Sequence, residues 1–448
     1  MTYVKNREDL ISHGHRELRA AALDIVEHAL ARVDPYLATT RLVRMEGDIL
    51  RIGELCYDLT RPGRLYVLGA GKASLPIARA LEDVLGDRVT DSLVIVKAGQ
   101  ETGTRRIELR EASHPLPDER GYEAARAMMA LARTAQEGDL VICAFTGGSS
   151  ALAPYPVEGV SIAEKREAHR LLLECGASIR EINAVRKHLS QLKGGRLAQA
   201  IFPAEIVNLT VSDVTGDPYD YITCPTVPDT STFDDARAVL DRYGLWGRFP
   251  TSAAAYLRNA TQEMENPRHF GAGKVHTFLL MRSGAVCDAA AEKARELGFT
   301  AEILTTEMEG DSAAEGLAFA TRLASSHESP LALIAGGETT VTLNDGGGEG
   351  GPNQEFALSA ARALTSPHHV VLSLDTDGTD GPTSLAGGLT DVSSVERSRT
   401  LGRSIDDALR RHDVSPLLRE LRDAVVTGHT GTNVNDLKLG LSAATRRE

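Results

Sequence analysis

Hydrophobic residues along the chain form short continuous runs that alternate with longer stripes at helical spacing. The runs at 64–69, 92–99, 139–145 and 206–211 predict buried strands. Between them, residues 74–85 and 122–135 repeat apolar positions with a helical period, and a long helical tract ends near residue 201. This alternation predicts a parallel sheet covered by helices on both faces.

A second alternating series begins at residue 275. Strands are predicted at 275–281, 301–304, 331–337 and 370–375, and helices at 284–298, 313–326 and 354–364. The stretch 225–270, rich in Pro, Thr and Asp, separates the two series, so we predict an N-terminal domain at 1–250 and a smaller C-terminal α/β domain at 271–448. Residues 15–33 predict an amphipathic helix on the outside of a sheet.

Composition and charge narrow the class of protein. The 448 residues suit two domains of ordinary soluble composition, with 42% apolar and 25% charged residues. A formal charge of −13 argues against nucleic acid as a partner, because such binding needs a basic face. There is no apolar run of about 18 residues and no apolar leader, so we expect a cytoplasmic protein with no membrane partner. The five scattered cysteines argue against disulfides and structural zinc.

Two glycine-rich turns join predicted strands to helices, and both are candidates for anion binding. The first, GAGKAS at 69–74, exposes amides at a helix start beside Lys72. The second, TGGSSA at 146–151, adds hydroxyl groups. A plain tight turn is the alternative for each, since neither matches the Walker or the dinucleotide pattern. The candidate phosphate-binding residues are Gly71, Lys72, Ser74, Gly147, Gly148, Ser149 and Ser150.

A basic tract at 176–196 is unusual in an acidic chain. Asn183 and Lys187 share one helix face, Arg186 belongs to the same helix, and Lys193 follows near a glycine pair. Charge runs are usually solvated helix faces, but the accompanying Asn and glycines favour an anion or nucleotide site here.

Acidic residues follow three predicted strands and are candidate Mg²⁺ ligands or general bases. Magnesium takes one or two carboxylates and keeps several waters, so some of these acids must instead orient hydrogen-bond donors. The acids are Asp213, Asp217, Glu338, Asp375, Asp377 and Asp380. His114 lies in a Pro-rich loop, where a structural hydrogen bond is favoured over catalysis.

Ten ordered motifs between about 60 and 440 resemble the glycerate 2-kinases of the MOFRL family. They read GAGKAS, SHPLPD, TGGSSAL, INAVRKHLSQLKGG, SDVTGD, PTVPD, GGETTV, GGPNQE, TDGTDGPT and TGHTGTNVNDL. The resemblance implies a large Rossmann-like domain, a smaller MOFRL domain and an active site in the interdomain cleft. It also implies ATP- and Mg²⁺-dependent phosphorylation of the 2-hydroxyl of D-glycerate. Some relatives are called hydroxypyruvate reductases, but neither glycine turn fits a dinucleotide.

The resemblance also implies roles for the candidate residues. Lys72 matches the family's active-site lysine, and Asp213 would receive the hydroxyl proton or hold Mg²⁺ with Asp217. The basic tract and the loop 147–150 would bind carboxylate or phosphate. The second domain would complete the site through Glu338, Asp377, Asp380 and Asn433.

Departures from the family pattern leave alternatives open. Pro352 stands where GGRNQE has arginine, and proline supplies neither cation nor N–H. Cys224, Ser384 and His429 also differ, while Arg282 is a candidate compensating cation. A kinase for a larger hydroxy acid and a non-catalytic paralogue therefore remain alternatives. The oligomeric state is also open, with a homodimer as one alternative.

Overall fold

A six-stranded sheet organises the first of two units, which we call the glycine-loop unit (residues 35–212 and 219–280). The structure is a computed structural model that describes residues 2–61, 63–100, 103–212, 219, 224–271, 273–326, 330–343 and 347–443. The second unit, which we call the mixed-sheet unit, contains residues 2–34 and 281–443.

The large sheet of the glycine-loop unit has the order β6-β5-β4-β7-β8-β9. The pairs β4–β5, β5–β6, β4–β7 and β7–β8 are parallel. This is the 3-2-1-4-5-6 order of the doubly wound Rossmann fold, as the family resemblance implied. The strands are β4 (Leu65–Ala70), β5 (Asp91–Lys97), β6 (Leu109–Ala112), β7 (Leu140–Phe145), β8 (Glu205–Val211) and β9 (Val275–Met281).

Helices cover this sheet and form a second layer beside it. Helix Ser74–Leu85 packs on β4, β5 and β7, whereas Glu119–Ala132 and Arg196–Ile201 share a core with alternate residues of the strands. A separate core joins Ile162–Glu174, Ile179–His188, Phe233–Arg242 and Thr251–Asn259. The unit also contains helices Pro35–Leu42 and Ser149–Leu152, 3₁₀ turns Gly86–Arg88 and Gln262–Met264, and the antiparallel strands β1 (Val43–Glu46), β2 (Ile49–Ile52) and β3 (Leu55–Asp58).

The long helical tract predicted up to residue 201 is three helices. Ser161 and Ser178 each form a capping box, with Glu164 and Glu181 as their respective partners, so new helices start after them. Gly194 and Gly195, with φ of 64° and 79°, then end the basic tract before helix Arg196–Ile201 begins. These breaks direct the basic residues of 183–193 toward several neighbours.

The mixed-sheet unit has the strand order β10-β11-β15-β12-β13-β14. Among the strand pairs of the described residues in this sheet, β10–β11 alone is parallel, because β15 returns antiparallel between β11 and β12. The strands are β10 (Thr300–Met308), β11 (Leu331–Gly337), β12 (His369–Asp375), β13 (Gly387–Asp391), β14 (Ala424–Val425) and β15 (Asp436–Ser442). Its helices are Arg7–Leu10, Arg16–Arg32, Ala285–Glu296, Ser312–Ser325, Pro352–Ala360, Val392–Thr400, Ile405–Arg410 and Ser415–Glu420.

Two segments group differently from the predicted domains 1–250 and 271–448. Strand β9, predicted to open the second domain, joins the first sheet, where Asn208 donates to the Thr277 hydroxyl at 3.1 Å. Residues 2–34 group with the mixed-sheet unit. Helix Arg16–Arg32 packs there against helix Ala285–Glu296 and strands β12 and β15, which agrees with the predicted helix on the outside of a sheet.

A buried ion cluster holds this N-terminal helix. The Arg19 guanidinium is fully buried and donates to Asp391 at 2.8 Å and Asp423 at 2.5 Å. Burial alone would raise the pKa of Asp423, but the guanidiniums of Arg19 and Arg397 outweigh it and lower this pKa to about 2. The stability that Asp423 contributes is therefore present above its ordinary pKa of 3.8 and lost as the pH falls through about 2.

None of the described helices combines the length and the apolar composition that crossing a membrane requires.

We expect Arg19→Met to lower the free energy of unfolding by about 3–5 kcal/mol, because it leaves the buried Asp391 carboxylate without its cation and removes one of the two guanidiniums that pair with Asp423. Arg7→Met is the matched control, since Arg7 pairs with Asp24 at the surface and such pairs contribute about 0–1 kcal/mol. Urea unfolding followed by circular dichroism measures both variants. Equal losses in the two would contradict the role of the buried cluster.

Candidate active site

The two glycine turns of the glycine-loop unit lie side by side at its topological switch point. They follow β4 and β7, the adjacent strands at which the strand order reverses, and open sheets bind ligands at this place. The Lys72 amide donates to the Gly147 carbonyl at 2.8 Å, and the Ala73 amide donates to the Thr146 hydroxyl at 3.1 Å. The predicted turns therefore form one structure.

Close packing explains why glycine occupies key positions in these turns. Gly71 has φ of 149°, and a Cβ there would lie 2.0 Å from the Thr146 hydroxyl oxygen. A Cβ on Gly148 would lie 3.0 Å from Lys72 Cγ and 3.1 Å from His114 Nε2. Lys72 and His114 thus flank the second turn, which brings His114 nearer to the candidate site than its sequence context indicated.

The serines of the turns have different surroundings. Ser74, which the sequence predicted as a phosphate-binding residue, is fully buried. Its hydroxyl donates to the Ala144 carbonyl at the end of β7, at 2.7 Å. Ser149 opens the short helix Ser149–Leu152. The Ser150 hydroxyl accepts from Lys193 Nζ at 2.5 Å, which joins the second turn to the basic tract.

Lys193 and Arg186 belong to a cluster of cations beside the turns. Burial, followed by the charges of Lys193 and Arg186, lowers the pKa of Lys165 to about 7. Burial also lowers the pKa of Arg186, and it lowers that of His169 to about 4 with help from the neighbouring cations. Burial is the largest cause of all three shifts, and the neighbouring cations add to it for Lys165 and His169.

Two other residues of the basic tract have protein partners. Lys187 is buried and pairs with Asp229 at 3.1 Å. Asn183 accepts a long hydrogen bond of 3.4 Å from Arg186 Nη1. In the structure Lys187 is thus part of a buried ion pair, and its binding to substrate stays a prediction. Asn183 supports the Arg186 side chain.

A pocket of about 360 Å³ opens between the helix Ile162–Glu174, the His114 loop and the second glycine turn. Its polar lining residues are Ser150 and a set of cationic or titratable side chains: His114, Lys165, Arg166, His169, Arg170 and Arg186. Its other walls are apolar, with Leu172, Val185 and Leu189 among them. The described lining includes no Asp or Glu, so the pocket suits a small anion.

Sequence reasoning missed Lys165 and His169. They lie four residues apart and share a face with Ala168 and Leu172, which are buried. A lysine and a histidine at i and i+4 within an apolar stripe were the available signal, because polar groups on a buried helix face need a partner.

Cys224 lies close to this cluster. Its side chain is 4% exposed, and its sulfur accepts from the Gly194 amide at 3.3 Å. The sulfur also has a favourable electrostatic interaction with Lys165 and Arg186. Cys224 is therefore a buried neighbour of these two cations.

In the mixed-sheet unit, the predicted acids converge at one sheet edge. Strands β11 and β12 end at Gly337 and Asp375, and both of these residues pair with Asp436 at the start of β15. Glu338, Asp377 and Asn433 lie within a few residues of these ends. The Asp377 carboxylate accepts from the amide and hydroxyl of Thr379 at 2.8 and 2.7 Å, so it shapes its own loop.

Asp380 anchors a helix. Its carboxylate accepts from the backbone and side-chain amides of Asn353 and Gln354 at 2.9–3.2 Å, at the start of helix Pro352–Ala360. Burial raises the pKa of Asp380 to about 6. The side chain is 1% exposed and fixes the start of this helix, and its predicted substrate contact stays a prediction.

Pro352 occupies the first turn of the same helix. Backbone N–H groups there have no intrahelical acceptor, so proline removes nothing that the helix uses. Ser384 and His429 are both exposed, as is Arg282. The fold therefore accommodates these departures from the family pattern.

The predicted catalytic and metal-binding residues Asp213 and Asp217 lie outside the described residues. Among the described residues, no group of three or more His, Cys, Asp and Glu could hold a metal ion. Magnesium bound through one or two carboxylates and substrate phosphates needs no such group.

A doubly wound sheet with paired glycine turns at its switch point is the architecture of the Rossmann-type α/β proteins, which bind ligands at this place. The model of the family described as "Domain of unknown function (DUF4147)" matches residues 21–258, more than half of the chain, and the MOFRL family matches residues 331–436. The chain therefore belongs to the family that combines these two regions, and this confirms the resemblance to the MOFRL family that its motifs indicated.

Named relatives match nearly the whole chain. The glycerate 2-kinase of Pyrococcus horikoshii is 37% identical, covering 96% of this chain and 98% of its own. The D-glycerate 2-kinase of Thermotoga maritima is 41% identical, covering 84% and 90%. The crystal structure of a Thermotoga maritima glycerate kinase superposes with a TM-score of 0.80 at 37% identity, covering 95% and 100%. Further relatives carry the name putative hydroxypyruvate reductase.

We expect Gly71→Ala to lower anion binding and activity, because its Cβ would displace Thr146 and the turn that carries Lys72. Gly86→Ala is the matched control, since Gly86 has φ of 55° and nothing within 4 Å of a Cβ. The control therefore carries backbone strain without a clash. Isothermal titration with ADP compares the two, and equal affinities would contradict the packing of the paired turns.

Proposed function

We propose that this protein is a glycerate 2-kinase that transfers the γ-phosphoryl group of ATP to the 2-hydroxyl of D-glycerate, giving 2-phosphoglycerate and ADP. The main support is the position of Lys72, which lies on paired glycine turns at the switch point and beside a pocket whose described lining contains cations and no Asp or Glu. The relatives named above are glycerate kinases, and the chain matches them over most of their length, which supports D-glycerate as the substrate.

Phosphoryl transfer requires positioning and charge neutralisation more than covalent chemistry by the protein. In the proposed mechanism, the Lys72 ammonium neutralises charge on the transferred group, and the amides and hydroxyls of 147–150 cradle phosphate oxygens. Arg186 and Lys193 hold an oxyanion of the reactants. The carboxylate of Asp213 receives the proton that leaves the 2-hydroxyl.

Mg²⁺ would neutralise phosphate charge when bound, and the proposed protein ligands are Asp213 and Asp217. For the mixed-sheet unit, substrate or phosphate contacts by Glu338, Asp377 and Asn433 stay proposals from the sequence. Asp380 would act by holding the helix that begins at Pro352. We further propose that the protein works in the cytoplasm.

The experiment supplies ATP, Mg²⁺ and D-glycerate to the purified protein and converts the product with enolase. Enolase acts on 2-phosphoglycerate and not on the 3-phosphate, so phosphoenolpyruvate formation reports both the reaction and the position. Release of ADP without phosphoenolpyruvate would contradict the proposed 2-hydroxyl specificity. NADH oxidation with hydroxypyruvate, with no kinase activity, would favour the reductase instead.

Lys72→Ala should lower kcat by about 10²–10³, because the ammonium acts on charge that develops in the transition state. Arg126→Ala is the control, since Arg126 is exposed and pairs with Glu123 on an outer helix. Steady-state kinetics at saturating ATP measure both variants. A Lys72→Ala rate close to the control rate would remove the role of Lys72.

A further inference from the structure

Helix Ile162–Glu174 contributes two partly buried polar residues to the wall of the pocket in the glycine-loop unit. Lys165 and His169 line it together with the apolar Ala168 and Leu172. The Ser161 capping box and the helical core beside it hold this face in place. No sequence motif covers these two residues, and the proposed mechanism does not use them.

Neither residue has an acidic partner among the described residues. Lys165 Nζ donates to the Leu189 carbonyl oxygen at 3.5 Å, which is a weak contact for an ammonium. His169 Nδ1 is buried and has no hydrogen-bond partner in the described part of the chain. The acids of the same helix point elsewhere, because Glu164 bonds to Ser161 and Ser252 while the acids at 167 and 174 pair with the arginine at 170.

Other cations face Lys165 from the surrounding elements. Arg186 comes from helix Ile179–His188, Lys193 follows it in the chain, and the Cys224 sulfur is the favourable neighbour. The remaining titratable groups on the pocket wall are also basic, namely His114, Arg166, His169 and Arg170. The described neighbours of Lys165 therefore add positive charge to its own, so a ligand that supplies negative charge stabilises this lysine.

We propose that Lys165, with Arg186 and Lys193, forms an oxyanion subsite that gains a proton as it binds its ligand. The oxyanion is the carboxylate of the hydroxy acid or a phosphoryl group of the nucleotide, which share the chemistry of a compact anion. The subsite rests on the proposed function for the identity of these ligands, but anion binding itself can be measured without catalysis.

The direction of the proton exchange follows from the surroundings of Lys165. Burial and the neighbouring cations lower the pKa of Lys165 to about 7 without ligand. A bound anion removes the repulsion and returns this pKa toward the ordinary value of about 10.4. Below pH 7 Lys165 is already charged before binding, whereas above pH 7 the ligand must bring a proton with it. Affinity therefore falls as the pH rises above 7.

Isothermal titration in buffers of different ionisation enthalpy measures the protons taken up. D-glycerate and ADP are titrated separately into the full chain at pH 6 and pH 8. For the ligand that occupies the subsite, a pKa that rises from about 7 to about 10.4 predicts uptake of about 0.1 proton at pH 6 and about 0.9 at pH 8. Uptake with glycerate identifies the carboxylate, and uptake with ADP identifies a phosphoryl group.

Two substitutions separate charge from titration. Arginine at position 165 stays charged at both pH values. The Lys165→Arg variant should therefore bind the ligand with the same small proton uptake at pH 6 and at pH 8. Lys165→Met should weaken binding about 10- to 150-fold at pH 6, the effect expected from one lost charged hydrogen bond. Arg133→Gln, an exposed cation of the same unit, should behave like the wild type.

The proposed subsite would be wrong if Lys165→Arg took up as many protons on binding as the wild type. It would also be wrong if proton uptake by the wild type did not change with pH for either ligand. Unfolding midpoints of the variants show whether a loss of binding reflects a loss of folding. A wild type that takes up the proton but forms no 2-phosphoglycerate would refute the proposed function and leave the subsite standing.

Discussion

Positive charge held partly out of water, with no Asp or Glu on the described pocket wall, is the constraint on which the pocket of the glycine-loop unit depends. Removing a lysine or arginine from water is unfavourable unless a counter-charge replaces the lost hydration. Around Lys165 and Arg186 the described protein provides a sulfur atom, a carbonyl oxygen and further cations, but no carboxylate lines the pocket. The arrangement is unfavourable for stability alone and suits a protein whose ligand is an anion.

The Rossmann order places this charge where chemistry can use it. At the reversal between β4 and β7, two turns leave neighbouring strands and share hydrogen bonds. Glycine at 71 and 148 allows the turns, Lys72 and His114 to approach closely. The mixed-sheet unit uses its polar motif residues differently. There Asn353, Gln354 and Asp380 form a buried network that fixes the helix beginning at Pro352.

The sequence predicted much of the fold because its strands are continuous apolar runs and its turns contain glycine. The helix at 15–33, the parallel sheet and the glycine turns all agree with the structure. The grouping of β9 and of residues 2–34 could not be read from local pattern, since each depends on distant partners such as Asp391 and Asp423. An apolar run shows that a strand is buried, but not which sheet it joins.

Only part of the candidate site could be predicted, because the sequence shows local chemistry but not which distant residues come into contact. Glycine turns and Lys72 are recognisable from local chemistry, but the partner of a charged residue depends on the fold. Lys187 and Arg186 are adjacent in sequence, yet Lys187 pairs with Asp229 while Arg186 lines the pocket. Lys165 was missed because a single lysine in an amphipathic helix resembles an ordinary surface residue.

A crystal structure with ADP and 2-phosphoglycerate bound would show whether the cations beside the second glycine turn bind an anionic ligand. We expect ligand oxygens within hydrogen-bond distance of Arg186 and Lys193, between the glycine turn 147–150 and helix Ile162–Glu174. Density for both ligands elsewhere, with only water beside these cations, would contradict this expectation.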